Sequence, residues 1–335
     1  MSDVKPVKLS WLWPGRIPYG KVSVLVGDPS LGKSLLTVDF AARVSQGRGW
    51  PDALDKGQTR GDVLMMSAED GLEDTIVPRL MAQGADLTRV HTIQTVRGEN
   101  GQPKPFCIGD VDTLRLVAQA VPDLRLVCVD PVSAFLGNVD SHNNAEVRSL
   151  MAPLAAFASE FDVAVLAVTH SNKSSAQKAM YRIVGSLAFV AAARACWAVV
   201  KDPKDPDRRG FLPIKNNLGK DGGGLVYHIS TTRVEKLGPQ PVVIWEQGET
   251  SATADEWMAA EQNAVAAERD TVGEWLNEVL EGGERRTQDV REDARQAGLS
   301  WAAVRVAKER IGATACKRGA AGSAGHWVWR LPPEP

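Results

Sequence analysis

Residues 22–34 read VSVLVGDPSLGKS, and that stretch leaves few folds open. Val22, Val24, Leu25 and Val26 make a short apolar run rich in β-branched residues, as in a strand buried on both faces. The run passes directly into Gly27-Asp28-Pro29-Ser30-Leu31-Gly32-Lys33-Ser34, and residues 34–46 (SLLTVDFAARVSQ) follow with a helical pattern. A Gly-x-x-x-x-Gly-Lys-Ser loop between strand and helix points backbone N–H groups inward, where they cradle phosphate oxygens. The helix N-terminus adds partial positive charge. The expected ligand is a nucleoside triphosphate, read as ATP, held by Gly27, Asp28, Pro29, Ser30, Leu31, Gly32, Lys33, Ser34 and Leu35. Lys33 is expected to reach the β- and γ-phosphates, and the Ser34 hydroxyl to hold Mg2+.

Length and composition bound what surrounds that loop. A chain of 335 residues, 44% hydrophobic, predicts two domains and a large core. No apolar run is long enough to span a bilayer, and the N-terminus, MSDVKPVKLSW, lacks the apolar stretch of a signal peptide. A cytoplasmic protein with no membrane contact is expected. Cys107, Cys128, Cys196 and Cys316 are widely spaced, which argues against a zinc site or a disulfide framework. The formal charge of −2 hides an asymmetry: residues 257–284 carry seven acids and one base, whereas residues 285–330 carry ten bases and four acids. The basic stretch predicts a polyanionic partner.

Strand-like and helix-like segments alternate over the first 230 residues or so. Strands are expected at 22–26, 62–67, 124–129, 162–169, 195–200 and 211–215, with helices at 34–46, 72–83, 111–120, 145–160 and 186–194. This alternation predicts an α/β domain with a mostly parallel sheet, and residues 225–229 and 241–246 read as a late antiparallel addition. The expected division is an ATPase domain over 1–248, a small polar linker over 249–256 and a second domain over 257–335. In the second domain, helices at 257–281, 287–299 and 301–312 precede a Gly/Ala/Ser-rich turn and the strand HWVWRL. Three helices followed by a β-hairpin is the pattern of a winged helix-turn-helix. Trp275, Trp301, Trp327 and Trp329 are assigned to its core.

Three more chemical positions fall at strand ends. Leu126-Val127-Cys128-Val129-Asp130 is an apolar run ending in a carboxylate, so Asp130 is expected to share Mg2+ with Ser34. Strand 62–67 runs into Ala68-Glu69-Asp70: Glu69 is the expected base for the attacking water, and Asp70 a cap for the next helix. Strand 162–169 runs into His170, expected at the γ-phosphate. His91, His142, His228 and His326 lack such a setting.

Taken in order, GDPSLGKS, SAEDGLEDT, LVCVDPVSAF, VTHSNKS and IVGSLAFVAAARACW resemble the motif series of RecA-superfamily ATPases, and look most like RepA-like hexameric replicative helicases of plasmids, phages and integrated elements. The resemblance covers roughly residues 15–230, and Ser30 departs from it where the family often has Gly. It implies a RecA-like P-loop NTPase core assembled as a homo-oligomer, a hexamer, with ATP between subunits. It further implies that a neighbour's Arg194 acts catalytically at the γ-phosphate, that Lys215 is a second basic contact there, and that loops 136–144 and 171–183 face a central pore. The second loop carries Lys173, Lys178 and Arg182 around Tyr181, the ingredients for tracking single-stranded DNA.

In the second domain, Arg305 and Lys308 on helix 301–312 are expected DNA contacts. A protein partner such as an initiator or primase is the alternative. For the whole chain the expected function is a replicative DNA helicase. The alternative is a RecA-like regulatory or recombination ATPase that binds DNA or a protein without unwinding. A small-molecule kinase is disfavoured because no acceptor-binding lid is evident.

Overall fold

The computed structural model describes residues 5–54, 56–93, 95–97, 101–137, 144–171, 187–219, 223–319 and 325–332. The chain begins with a small hairpin, β1 (Trp11–Trp13) and β2 (Ile17–Pro18), and enters β3 (Val22–Gly27), which is buried at all six positions. Helix α1 (Lys33–Gln46) leads to β4 (Asp62–Ser67), a π-helical turn over Leu72–Ile76, α2 (Val77–Ala82), β5 (Val90–His91) and a small hairpin of β6 (Thr95–Arg97) and β7 (Pro103–Pro105). Then come α3 (Val111–Ala120), β8 (Leu124–Asp130), α4 (Asn144–Phe161), β9 (Ala164–His170), α5 (Leu187–Ala192), β10 (Ala195–Lys201), β11 (Arg208–Asn216), β12 (Leu225–Val234) and β13 (Gly238–Trp245).

One nine-stranded sheet has the order β13-β12-β11-β10-β3-β9-β8-β4-β5. The six strands from β10 to β5 are mutually parallel, and β11 to β13 add on antiparallel. The six expected strands are present within a few residues at their ends, and the antiparallel extension includes β11 as well.

Continuous apolar strands are what a sheet covered on both faces needs, and alternate residues sort into two cores. Val24, Val26, Val127, Val129, Val165 and Ala167 face one core, closed by Leu114 of α3, Leu154 and Phe157 of α4 and Phe189 of α5. Leu25, Leu126, Cys128, Leu166 and Val168 face the other, closed by Leu36 and Phe40 of α1 and Leu80 of α2. Burying each of the Val, Leu and Phe side chains among them stabilises by about 1.5–3 kcal/mol.

The second core contains an aromatic stack. Trp13 lies parallel to Trp50 (4.6 Å between centroids) and to Phe211 (5.3 Å), and Trp197 stacks on Phe211 (4.5 Å). Arg16, 2% exposed, sits beside the Trp13 and Trp197 rings at 5.4 and 5.2 Å. Its guanidinium donates to Asp52 (2.9 Å), the Gly223 carbonyl (2.7 Å) and Glu249 (2.8 Å).

Two compact units divide between Ala259 and Ala260. Residues 249–256, expected as a linker, are instead part of packed structure. Thr250 and Gly224 exchange backbone hydrogen bonds, and Glu249 pairs with Arg16. Thr253 and Glu256 form a reciprocal capping box that starts helix α6 (Ala254–Glu281) at Ala254.

The second unit adds β14 (Arg285–Arg286), α7 (Thr287–Gln296), α8 (Trp301–Arg310), β15 (Thr314–Arg318) and β16 (His326–Arg330). Its strands form an antiparallel sheet in the order β14-β16-β15. Ser300 caps α8 by accepting the Ala303 N–H, and the left-handed Gly312 follows the helix. Val272, Leu276, Leu280, Val290, Ala294, Val304, Ala307 and Trp329 make its core, with Trp275 and Trp301 packed at the margin. Trp327 departs from the expected core assignment: it is 55% exposed.

Candidate active site

The strand register brings the chemical residues to one edge of the sheet. Gly27 ends β3 level with His170 on β9, and Ser67 ends β4 level with Asp130 on β8. Strand β9 lies between β3 and β8, so His170 stands between the loop after Gly27 and the carboxylate of Asp130.

The loop turns tightly because Ser30 (φ +65°) and Gly32 (φ +85°) both adopt left-handed backbone. That conformation suits glycine and costs a residue with a Cβ roughly 1–2 kcal/mol, so Ser30 carries strain that glycine would avoid. Gly27 has a different reason: a Cβ there would lie 2.5 Å from the Val199 carbonyl oxygen of β10. From behind, the buried Tyr227 hydroxyl donates to the Leu31 carbonyl at 3.2 Å.

Lys33 is buried and folds back into the loop. Its ammonium donates to the Gly27 and Asp28 carbonyls, both at 2.8 Å, and lies 3.2 Å from His170 Nδ1. An ammonium has no lone pair, so Nδ1 must be the acceptor and the imidazole proton belongs on Nε2. That Nε2 faces Glu69 Oε1 at 3.5 Å. Lys33, His170 and Glu69 thus form one polar chain, with the exposed Glu69 at its outer end. Burial pulls the Lys33 ammonium below its ordinary range, and Asp130, Asp28 and Glu69 counter that pull.

Asp130 is 8% exposed and hydrogen-bonded by the Ser34 hydroxyl. Burial raises its carboxyl above the usual range against the opposing effect of Ser34 and Lys33. Beside it a cavity of about 10 Å3, room for one water, is lined by Ser34, Thr37, Ser67, Asp70 and Arg79 among others. Of these the Ser34 hydroxyl, like the Asp130 carboxylate beside it, is an oxygen donor of the kind a divalent cation takes, whereas the Arg79 guanidinium is not. Among the described residues no cluster of three His, Cys, Asp or Glu side chains forms a complete metal cage. The Ser34 hydroxyl and the Asp130 carboxylate fit an ion held by one or two protein oxygens and completed by phosphate and water, as Mg2+ usually is. Asp70 is not the helix cap it was expected to be. Gly71 holds the cap position, and Asp70 pairs with Arg79 at 2.9 Å on the wall of the same cavity.

Other expected residues lie elsewhere. Arg194 is exposed at the start of β10, where its N–H bonds the Val22 carbonyl at the edge of the sheet opposite Gly27. Lys215 pairs in register with Cys196, level with Val24. Its ammonium donates to the carbonyls of Val190 (3.1 Å), Ala191 (3.3 Å) and Ala193 (2.9 Å). Lys215 thus caps the C-terminal end of α5 and is not assembled with the phosphate loop of its own chain. Lys173, Lys178 and Arg182 lie outside the described residues, as does most of the loop over 136–144. On α8, Arg305 is exposed, and the Lys308 ammonium lies over the Trp329 ring at 5.4 Å.

Sequence reasoning passed over the Tyr227 support, which comes from a strand almost 200 residues downstream. It also missed the Asp28 carboxylate, which accepts from the Ser171 hydroxyl and ties the loop to the residue after β9.

A family model described as an AAA domain matches residues 2–176. The match takes in the phosphate loop, Glu69, Asp130 and His170, and stops short of Arg194, Lys215 and the second unit. No curated protein matches the chain.

Proposed function

The chain belongs to the AAA domain family of P-loop ATPases, and on that premise we propose that it is an ATP-driven DNA motor, a homohexameric replicative helicase of the RepA-like kind. In this reading Lys33 and the loop amides hold the β- and γ-phosphates. Glu69 orients the attacking water and takes its proton, while His170, bonded to Lys33 on one side and facing Glu69 on the other, senses the γ-phosphate. Ser34 and Asp130 would hold Mg2+, which when bound offsets the negative charge on the phosphates.

The observation that carries the reading is the position of Arg194. It stands five register positions from Gly27, roughly 16 Å at the usual rise per residue, on the far edge of the sheet. An arginine so placed cannot serve its own phosphate loop, but an exposed one can serve a neighbour's. Hydrolysis at each site would then depend on the adjoining subunit. The helix–strand–helix–helix–strand–strand order of the second unit supports its reading as a winged helix that presents Arg305 and Lys308 to DNA.

Strand displacement on a forked DNA with ATP tests this directly, with Lys33→Ala as the inactive control. ATP hydrolysis stimulated by single-stranded DNA without any displacement would sink the helicase and leave the regulatory or recombination ATPase. The shared site has its own test. Arg194→Ala subunits and Lys33→Ala subunits, each inactive alone, should regain hydrolysis when mixed, because some interfaces then carry both residues. A mixture that stays inactive, or a strict monomer with ATP, would remove Arg194 from the reading.

A further inference from the structure

The second unit carries a cleft of about 480 Å3 lined by Arg286, Arg291, Trp301, His326 and Trp327, among others. No carboxylate lines it among the described residues. Much of the basic charge of this unit is spent internally: Arg285 pairs with Asp293, Arg295 with Glu292, and Arg318 and Arg330 with Glu284. Arg286 and Arg291 have no ion pair among the described residues, and both are exposed. The positive charge left for a ligand thus gathers in the cleft as well as on α8.

The walls are aromatic. Trp301 stacks on the buried Trp329 at 5.1 Å and 19°, and the Arg291 guanidinium lies over Trp301 at 5.7 Å. Across the cleft Trp327 leaves 55% of its surface in water. Its backbone is tied down: the Thr287 hydroxyl donates to its carbonyl at 3.2 Å, and Arg286 pairs in register with the adjacent Val328. An exposed indole beside two guanidinium groups without ion pairs, one of them lying over Trp301, suits a flat anionic ligand.

We infer that this cleft takes one unpaired base of a DNA single strand, stacked on Trp327, with the neighbouring phosphates on Arg286 and Arg291. A duplex hides its base faces in the helical stack and shows proteins only edges and backbone, so stacking requires a single strand. The cleft is also small, within the range of small-ligand pockets, and it reaches the start of α8 at Trp301. The inference rests on reading the second unit as a nucleic-acid module and does not depend on strand separation.

The probe is dT15 carrying one 5-iodouracil, added to the full chain without ATP and irradiated, with the adduct located by peptide mass spectrometry. The adduct is expected in the peptide holding Trp327. Trp327→Ala should weaken dT15 binding about 5- to 100-fold, the range for losing one base–ring stack, while Trp327→Phe should keep most of the affinity. Arg286→Ala and Arg291→Ala should each lower the salt dependence of binding. A duplex of the same length should bind Trp327→Ala and the parent chain alike. Adducts confined to other peptides, an unchanged affinity in Trp327→Ala, an equal loss for the duplex, or capture of polyglutamate as readily as dT15 would each overturn the proposal. A correct Trp327 adduct on a chain that never displaces a strand would sink the helicase and leave this cleft standing.

Discussion

Arg16→Met replaces a buried cation by an uncharged side chain of similar length, so packing between Trp13 and Trp197 is largely kept and the charge alone is lost. Three partners are then left behind. Asp52, 22% exposed, retains the Trp13 Nε1 donor at 2.8 Å, Glu249 is 52% exposed and turns to water, and the Gly223 carbonyl loses its donor. Removing one partner of a fully buried pair costs about 3–5 kcal/mol, and the access of both carboxylates to water brings the expectation to about 2–3 kcal/mol. For a unit of this size that is a fall in Tm of roughly 4–12 °C. The assay is urea unfolding followed by near-ultraviolet circular dichroism, because the stacked rings of Trp13, Trp50, Trp197 and Phe211 lie in the affected core. The transition of the second unit, which has its own tryptophans, should not move. Adding Asp52→Asn to Arg16→Met should return about half of the loss, since the stranded carboxylate is then gone. A single variant within about 0.5 kcal/mol of the parent, the range of an ordinary surface change, would refute the view that this arginine ties the unit together.

Other outcomes follow from the site. Asp130 is held above the ordinary carboxyl range by burial, so its ionised form costs stability at neutral pH. Asp130→Asn should therefore raise the Tm of the nucleotide-free chain at pH 7, with the gain shrinking as pH falls through the raised value and vanishing below the ordinary carboxyl range. The same variant should lose hydrolysis. Glu69→Gln should lower the rate of ATP hydrolysis by about 100-fold or more while ATP binding, read by equilibrium dialysis, persists; a rate within a few-fold of the parent would reassign the base. Lys215→Ala should lower stability by about 0.3–1 kcal/mol through loss of the α5 cap and change nucleotide affinity less, whereas a selective loss of affinity would return Lys215 to the phosphate site.

What could be read in advance was whatever depends on neighbours in sequence. The strand–loop–helix over 22–46 and the apolar strands ending in Ser67, Asp130 and His170 carry their own periodicity, and strands of one parallel sheet end on one edge. The Arg16 cluster carried no such signal, because its partners are 36 to 233 residues away. The capping box at Thr253-Ala254-Asp255-Glu256 was legible as a motif, but its small polar composition read as a linker. Trp327 and Trp329 are two apart on one strand and so share a face. Only Trp329 is stacked on by Trp301, a packing choice that strand periodicity does not encode. Likewise a strand-end lysine looks the same in sequence whether it meets a phosphate or, as Lys215 does, three helix carbonyls.

The sheet order has a consequence for synthesis. Strand β3, at the heart of the sheet and apolar at nearly every position, is made well before its hydrogen-bonding neighbours β9 and β10, which begin only at Ala164 and Ala195. At about 5–20 residues per second the ribosome needs on the order of 10–30 s to bring the nearer one out. Throughout that interval the nascent chain carries an unpaired, sticky strand beside a glycine-containing loop that cannot yet bind nucleotide. An apolar strand without its neighbours is prone to associate with other chains, so the yield should fall when translation slows between β3 and β9.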